Sequence, residues 1–155
     1  MPKIDDDIIT IQPAYWPWQQ SLLEQVLSLK KQARLPHALL IEAKSEQVGA
    51  AFIWHLTMLL LCNNNQSVVP CGLCQSCSLM KSNTYPDFTF VTLMTDGKTK
   101  KINKNIKIEQ IRNLIHEVYL TRRYNNLKVI AIHPAEKMSI AGANSILKTL
   151  EEPAP

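Results

Sequence analysis

The sequence has no apolar segment long enough to cross a membrane. Its longest apolar run, residues 50–62, corresponds to about three to four helical turns, whereas a membrane-spanning helix needs about 20 apolar residues. The N-terminus also lacks a basic and then apolar targeting segment, because Met1-Pro2-Lys3 is followed by three aspartates. From these absences we expect a soluble cytoplasmic protein with no membrane partner, in a reducing compartment.

Motifs of common hydrolases are also absent. The sequence contains neither a G-x-S-x-G nucleophile elbow nor an H-E-x-x-H zinc-protease motif. None of the four histidines has an obvious nucleophile beside it, and the apolar helical pattern around His55 is typical of a core histidine. The sequence therefore does not indicate hydrolytic chemistry.

The composition is that of a globular protein with a mild positive charge. A length of 155 residues and an apolar fraction of 46% predict one domain with a sizeable core. The formal charge of +4 permits a nucleic-acid partner without arguing for one. Residues 95–107 contain no aromatic side chain that could stack on bases, so we expect a solvated loop and leave nucleic-acid contact open. The lysines of this stretch are Lys98, Lys100, Lys101, Lys104 and Lys107.

All four cysteines lie within residues 62–77, with the spacing C-x8-C-x2-C-x2-C. Each C-x2-C step can place two thiolates on one metal ion, and Pro70 and Gly72 supply tight turns between them. Four thiolates complete a tetrahedral zinc site and leave no open coordination position. The pattern predicts one structural zinc ion in a module over residues 62–80, with the ligands Cys62, Cys71, Cys74 and Cys77.

Three other interpretations of the cysteines stay open. Disulfides are permitted by the even cysteine count but disfavoured in a reducing compartment. Cys71, Cys74 and Cys77 repeat the ferredoxin spacing, and an iron–sulfur cluster would make the chain a redox or electron-carrier domain, although no fourth cysteine followed by proline completes that pattern. The third interpretation is four ordinary buried thiols.

Hydrophobic patterning predicts helices that alternate with short strands. The predicted helices cover residues 18–33, 48–61 and 106–120, a short segment after Cys74, and a last segment from Ser139, its N-cap, to Pro153. The inner side of the last helix is assigned to Ala143, Ile146, Leu147 and Leu150. The predicted strands are residues 37–41, 88–93 and 128–132. This order predicts an α/β fold with a parallel sheet and helices on both of its faces.

The loop after the first predicted strand does not match a phosphate-binding loop. The pattern G-x-x-x-x-G-K-[ST] has Gly49 at its lysine position and Ala50 at its hydroxyl position, and Glu46 would repel phosphate. This degenerate loop comprises Ala43, Glu46, Val48, Gly49 and Ala50. The third strand ends in His133 and Pro134, where P-loop ATPases carry acids that hold magnesium. We expect no ATP binding or hydrolysis; an ATPase with a diverged loop is the alternative.

Five stretches from Trp16 onward carry a family resemblance. They are Trp16-Pro17-Trp18, residues 37–41, the four cysteines, Pro86-Asp87, and the C-terminal motif N-S-I-L-K-T-L-E-E-P. Together they resemble the delta-prime subunits of the bacterial DNA polymerase III clamp loader, which belong to the AAA+ clamp-loader family. The last motif is the most specific, and its matching residues are Asn144, Leu147, Lys148, Thr149, Leu150, Glu151, Glu152 and Pro153.

The resemblance implies an AAA+ type domain over residues 16–155, a three-layer P-loop-like sheet with a zinc insert, after a leader at 1–15. It implies a subunit of the DNA polymerase III holoenzyme without catalytic activity of its own. Such a subunit joins the motor subunits gamma and tau and the delta subunit in a hetero-pentamer that loads the sliding clamp onto primed DNA. The Ser-Arg-Cys motif with which the family lends an arginine to a neighbouring ATP is absent, so Arg122 and Arg123 receive no such role.

The resemblance also implies that the domain is incomplete at its C-terminal end. One more strand would follow the last helix and lie between residues 37–41 and 128–132. We therefore expect these two segments to face a gap, to carry unpaired backbone groups or to pair improperly, and the isolated chain to be prone to aggregation.

Overall fold

The computed structural model describes residues 15–64, 67–96, 100–120, 123–124 and 127–152. The chain divides between Pro86 and Asp87 into two compact units. Most of the predicted leader at 1–15 lies outside the described residues. Among the described helices, none combines the length and the apolar character that a membrane crossing requires.

Three helices and a short 3-10 turn form the described part of the first unit. They are the turn Pro17–Gln19, α1 (Gln20–Lys31), α2 (Glu46–Leu61) and α3 (Gln75–Lys81). α1 buries a stripe formed by Leu23, Val26 and Leu27. α2 is apolar around its whole circumference and is buried along most of its length, so it forms the centre of this unit.

A parallel pair of strands and two long helices form the described part of the second unit. They are β1 (Phe88–Val91), α4 (Ile108–Tyr119), β2 (Val129–Ile132) and α5 (Ile140–Glu151), with a 3-10 turn Ala135–Lys137 before α5. In the parallel register, Phe88 lies opposite Val129 and Val91 opposite Ile132. The buried core is formed by Val91, Ile106, Ile111, Leu114 and Ile146. The predicted mixed α/β class with a parallel sheet is thus confirmed, and the pair consists of the second and third predicted strands.

Serine side chains cap two of the helices. The Oγ of Ser139 accepts the N–H of Gly142 at 3.1 Å, which confirms the predicted N-cap of α5. The Oγ of Ser45 accepts the N–H of Val48 at 3.3 Å, so α2 begins two residues before the predicted start. Gly142 also lies against α4, where a Cβ atom would approach Cγ1 of Ile111 to 3.2 Å, and its small size lets the two helices come close.

The first predicted strand is not a strand in this structure. Residues 37–41 join no ladder, and Leu40 is 96% exposed. An apolar run favours burial, but a strand forms only where a neighbouring backbone offers matching N–H and C=O groups. Within the first unit this run lies beside α1 and α2, whose backbone groups are engaged in their own helical hydrogen bonds. The prediction from the apolar pattern is therefore wrong for this segment.

The inner side of α5 also differs from the prediction. Gly142 and Ile146 are buried, whereas Leu147 is 51% exposed and Leu150 is 42% exposed. The assigned residues are all apolar, so hydrophobicity alone does not decide which of them turn inward. The close approach of α4 at Gly142 selects the side of α5 that carries Gly142 and Ile146.

Candidate metal centre

The four cysteine sulfurs come together in the first unit. Cys62 is the C-cap of α2, Cys74 is the N-cap of α3, and Cys77 lies in the first turn of α3. Cys71 stands on the loop between the two helices. All four Sγ atoms lie within 4.8 Å of one another. Two helix ends and one loop thus assemble the predicted ligand set.

The sulfur separations fit a single tetrahedral ion. The Sγ of Cys62 lies 3.5 Å from that of Cys71 and 3.9 Å from that of Cys74. Sulfurs bonded at about 2.3 Å to one tetrahedral ion would lie about 3.8 Å apart. A cluster of several iron and sulfide ions would hold the cysteine sulfurs further apart, because those ions lie between them. All four cysteines are free thiols, which gives no support to disulfides.

Backbone N–H groups donate to the sulfurs. The Sγ of Cys62 accepts from the N–H of Asn64 at 3.4 Å and from the N–H of Cys71 at 3.5 Å. The N–H of Cys74 donates to the Sγ of Cys71 at 3.4 Å across a tight turn, in which Gly72 has a φ of 70°. Such hydrogen bonds stabilise thiolates, the form in which cysteine binds a metal ion.

The four thiols differ in how readily they ionise. Hydrogen bonds from the backbone N–H groups of Leu73 and Cys74 lower the pKa of Cys71 to about 6. Burial raises the pKa of Cys74, but the hydrogen bonds that its sulfur accepts outweigh burial and leave the pKa below its ordinary value. Burial raises the pKa of Cys62 and of Cys77 above the ordinary value. A metal cation would offset this cost, because binding to it favours the thiolate.

A buried histidine of α2 holds the loop between the first two cysteines. The Nε2 of His55 carries the proton, because it lies 2.8 Å from the carbonyl oxygen of Val68, which can only accept. His55 is 3% exposed, which confirms the core histidine predicted from its apolar surroundings. The hydrogen bond between His55 and Val68 joins residues 13 positions apart, so no local sequence pattern predicts this contact.

Two lysines from the ends of α1 and α3 donate to backbone carbonyls in or beside the cysteine module. The ammonium of Lys30 donates to the carbonyl of Leu60. Burial lowers the pKa of Lys30, and the negative charge of Cys62 partly opposes that shift. The ammonium of Lys81 donates to the carbonyl of Gly72 at 2.9 Å. No sequence motif indicated either lysine, although Lys81 is the only charged residue between positions 62 and 82.

The stretch predicted to be a degenerate phosphate loop spans the start of α2. Ser45 caps the helix, and Glu46 is an acid in its first turn. The two residues at the lysine and hydroxyl positions, Gly49 and Ala50, are buried inside the helix. The structure brings the five predicted residues together at this helix start, with Ala43 exposed and Val48 half-buried.

The other predicted residues belong to the second unit. His133 follows β2 and its N–H donates to the carbonyl of Val91 at 2.9 Å, and Pro134 comes next. The signature residues are carried by α5, with Glu152 as its C-cap. Pro153 and Arg122 lie outside the described residues. These second-unit residues are Asn144, Leu147, Lys148, Thr149, Leu150, Glu151 and Glu152 in and after α5, and His133 and Pro134 after β2.

The lysine-rich stretch is exposed where it is described. Thr95 and Ile102 form an antiparallel bridge, and the N–H of Asp96 donates to the carbonyl of Lys101 at 2.8 Å. The described lysines Lys100, Lys101, Lys104 and Lys107 are all exposed, as expected, and Lys98 lies outside the described residues. Nucleic-acid contact through these side chains stays a prediction.

Asp87 has a structural role that the Pro86-Asp87 motif did not reveal. Its side chain is 1% exposed, and its carboxylate accepts the N–H of Arg123 at 2.9 and 3.0 Å and the N–H of Tyr124 at 2.6 Å. Its carbonyl accepts the N–H of Val129 at 2.9 Å. Hydrogen bonds to a carboxylate are stronger than those between neutral groups, so Asp87 ties the residues before β2 to the start of β1.

A comparison with known protein families identifies the family of this chain. The family model described as "DNA polymerase III, delta subunit" matches residues 18–155. The chain belongs to this family. The match covers both units, including the cysteine module and α5.

Curated members of this family carry a more specific name. The chain is 34% identical over 139 residues to the DNA polymerase III subunit delta' of Pseudomonas aeruginosa, covering 90% of this chain and 40% of the relative. It is 32% identical over 143 residues to that of Haemophilus influenzae (92% and 41%), and 32% identical over 139 residues to that of Escherichia coli K12 (90% and 40%). The chain thus spans about 40% of the length of these relatives. Their names agree with the delta-prime resemblance and give no support to a redox function.

Proposed function

We propose that this chain acts as a delta' subunit of the bacterial DNA polymerase III clamp loader and supplies an AAA+ type domain. The family match over residues 18–155 carries the proposal, together with the name of the relatives. The parallel pair β1 and β2, with α4 packed on β1, supports the sheet and one helix layer of such a domain. On this view residues 16–155 belong to an AAA+ type domain with a zinc module inserted at 62–80.

The partners follow from the subunit that the chain resembles. We place it in a cytoplasmic hetero-pentamer with the motor subunits gamma or tau and with the delta subunit. Through that complex it would act on the sliding clamp and primed DNA.

Reconstitution with purified subunits tests this assignment. The chain is mixed with gamma and delta and separated by size-exclusion chromatography, and a delta' relative serves as the positive control. We expect this chain to elute with the other subunits. Recovery of the chain alone, under conditions in which the control assembles, would contradict the assignment for this part of the protein.

We further propose that the domain neither binds nor hydrolyses ATP. Ser45 accepts one N–H group at the start of α2 and Glu46 adds a negative charge there, so this helix start attracts phosphate less than an uncapped, uncharged one would. Gly49 supplies no ammonium group and His133 no carboxylate at the positions where an ATPase needs them. Titration with a fluorescent ATP analogue tests this, and saturable binding to the purified chain would contradict it.

The cysteine cluster would hold one structural zinc ion through Cys62, Cys71, Cys74 and Cys77. The sulfur separations and the N–H donors to sulfur support this ligand set. Bound zinc would join the end of α2 to the start of α3. Elemental analysis of the purified chain should find about one zinc per chain, and a Cys77→Ser variant should hold zinc much more weakly. Iron in place of zinc would favour the redox interpretation.

A further inference from the structure

When a metal ion is bound, the cysteine cluster would concentrate negative charge at the C-terminal end of α2, where such charge is unfavourable. Four thiolates around one divalent ion leave about two net negative charges. Cys62 is the C-cap of α2, and the last carbonyl groups of a helix already carry partial negative charge. A positive charge at this helix end would therefore stabilise the loaded centre.

Lys30 supplies such a charge at the end of α2. It lies in the last turn of α1, and its ammonium donates to the carbonyl of Leu60, two residues before Cys62. The side chain is half-buried, so its charge is screened by water less than that of an exposed lysine. The hydrogen bond satisfies one terminal carbonyl of α2 and keeps the ammonium beside the first cysteine of the cluster.

Lys81 supplies a second charge on the other side of the cluster. It is the last residue of α3, and its ammonium donates at 2.9 Å to the carbonyl of Gly72, inside the turn that joins Cys71 and Cys74. Residues 62–82 contain no aspartate or glutamate that would compete for it. Lys81 is exposed, so we expect its effect to be smaller than that of Lys30.

We propose that Lys30 and Lys81 are positioning residues of the metal centre, which fix the backbone beside the cysteines and offset the charge of four metal-bound thiolates. This inference rests on the proposed zinc site. The side chains do not bind the ion themselves. They make the zinc-bound state more favourable than it would be without the two lysines.

Metal affinity measured on the whole chain tests the proposal. Co²⁺ is titrated into metal-free protein and followed by its thiolate charge-transfer absorption, and Zn²⁺ affinity is obtained by competition with a chelator. The variants are Lys30→Met, Lys81→Met and the charge-conserving Lys30→Arg. Lys31→Met is the matched control, because Lys31 is the exposed neighbour of Lys30 on the same helix. Circular dichroism first establishes that each variant folds.

We expect Lys30→Met to weaken Zn²⁺ binding about 10-fold, in the range usual for groups that support metal ligands, and Lys81→Met to weaken it about 3-fold. Lys30→Arg should restore most of the affinity, and Lys31→Met should leave it unchanged. Equal affinities for wild type, Lys30→Met and Lys81→Met would overturn the role of the lysines and leave the zinc site standing. A wild-type chain that binds neither Co²⁺ nor Zn²⁺ would overturn the metal site itself.

Discussion

At the scale of single residues, the cysteines of one cluster differ in the pKa of their thiols. Cys71 lies on the loop and accepts backbone hydrogen bonds, whereas Cys77 lies in α3 and is 1% exposed. The backbone hydrogen bonds lower the pKa of the first thiol, and burial raises that of the second. Identical residues in one motif should therefore react differently when no metal holds them.

Alkylation of metal-free protein should modify Cys71 first. Its pKa of about 6 makes it mostly thiolate at pH 7, and the thiolate is the form that reacts. The reaction with iodoacetamide should slow as the pH falls through 6, while Cys77 stays protonated and slow over the same range. Peptide mass spectrometry at several pH values gives the order. Faster labelling of Cys77 than of Cys71 at pH 7 would contradict this account.

Replacing Asp87 with asparagine should destabilise the protein by about 2 kcal/mol. The amide retains one acceptor oxygen, but its NH2 group would face the N–H donors of Arg123 and Tyr124. Urea unfolding measures the loss. The exposed acid Glu136, changed to glutamine, is the control and should shift stability by less than about 0.5 kcal/mol. Equal stability of the two variants would show that the carboxylate of Asp87 is not needed.

At the scale of elements, residues 37–41 show that an apolar segment need not be buried. Leu40 is 96% exposed although the run is as apolar as β2. β2 is a strand because β1 supplies a partner ladder for it. Residues 37–41 stand beside helices, and helices have no lateral backbone groups left to pair with a strand.

Leu40→Gln should therefore leave the stability of this chain within about 0.5 kcal/mol of wild type. Leu23→Ala is the comparison, because Leu23 is 0% exposed in α1 and its truncation should cost about 3 kcal/mol. Thermal or urea unfolding of the two variants provides the measurement. A loss of more than about 2 kcal/mol for Leu40→Gln would mean that the segment is buried, as the sequence pattern predicts.

At the scale of the whole molecule, the cysteine cluster belongs to one unit only. All four cysteines precede Pro86, and so do the three side chains that hydrogen-bond to the backbone near them, Lys30, His55 and Lys81. The core of the second unit is built from its own strands and helices. Metal loading should thus control order in the first unit.

Removal of the proposed zinc ion with a chelator should change amide hydrogen exchange in some elements of the chain and not in others. Amide hydrogen exchange should speed up in α3 and in residues 67–74, because a closed metal site contributes directly to folding. Protection in β2 and α4 should change little. Hydrogen exchange with mass spectrometry measures both regions in one experiment. An equal loss of protection in β2 and α3 would show that the metal supports the whole molecule.

The sequence by itself determined the local features: the helices and their approximate bounds, the N-cap at Ser139, the cysteine spacing and the family motif. These depend on residues close together in the chain, where periodicity and turn chemistry act directly. Only the tertiary structure decided that residues 37–41 join no strand ladder and which side of α5 is buried. Only the tertiary structure also revealed the hydrogen bonds of Lys30 to the end of α2, of His55 to the loop at Val68, and of Asp87 to the residues before β2. Such contacts join separate elements, and their geometry depends on how those elements pack rather than on any local pattern.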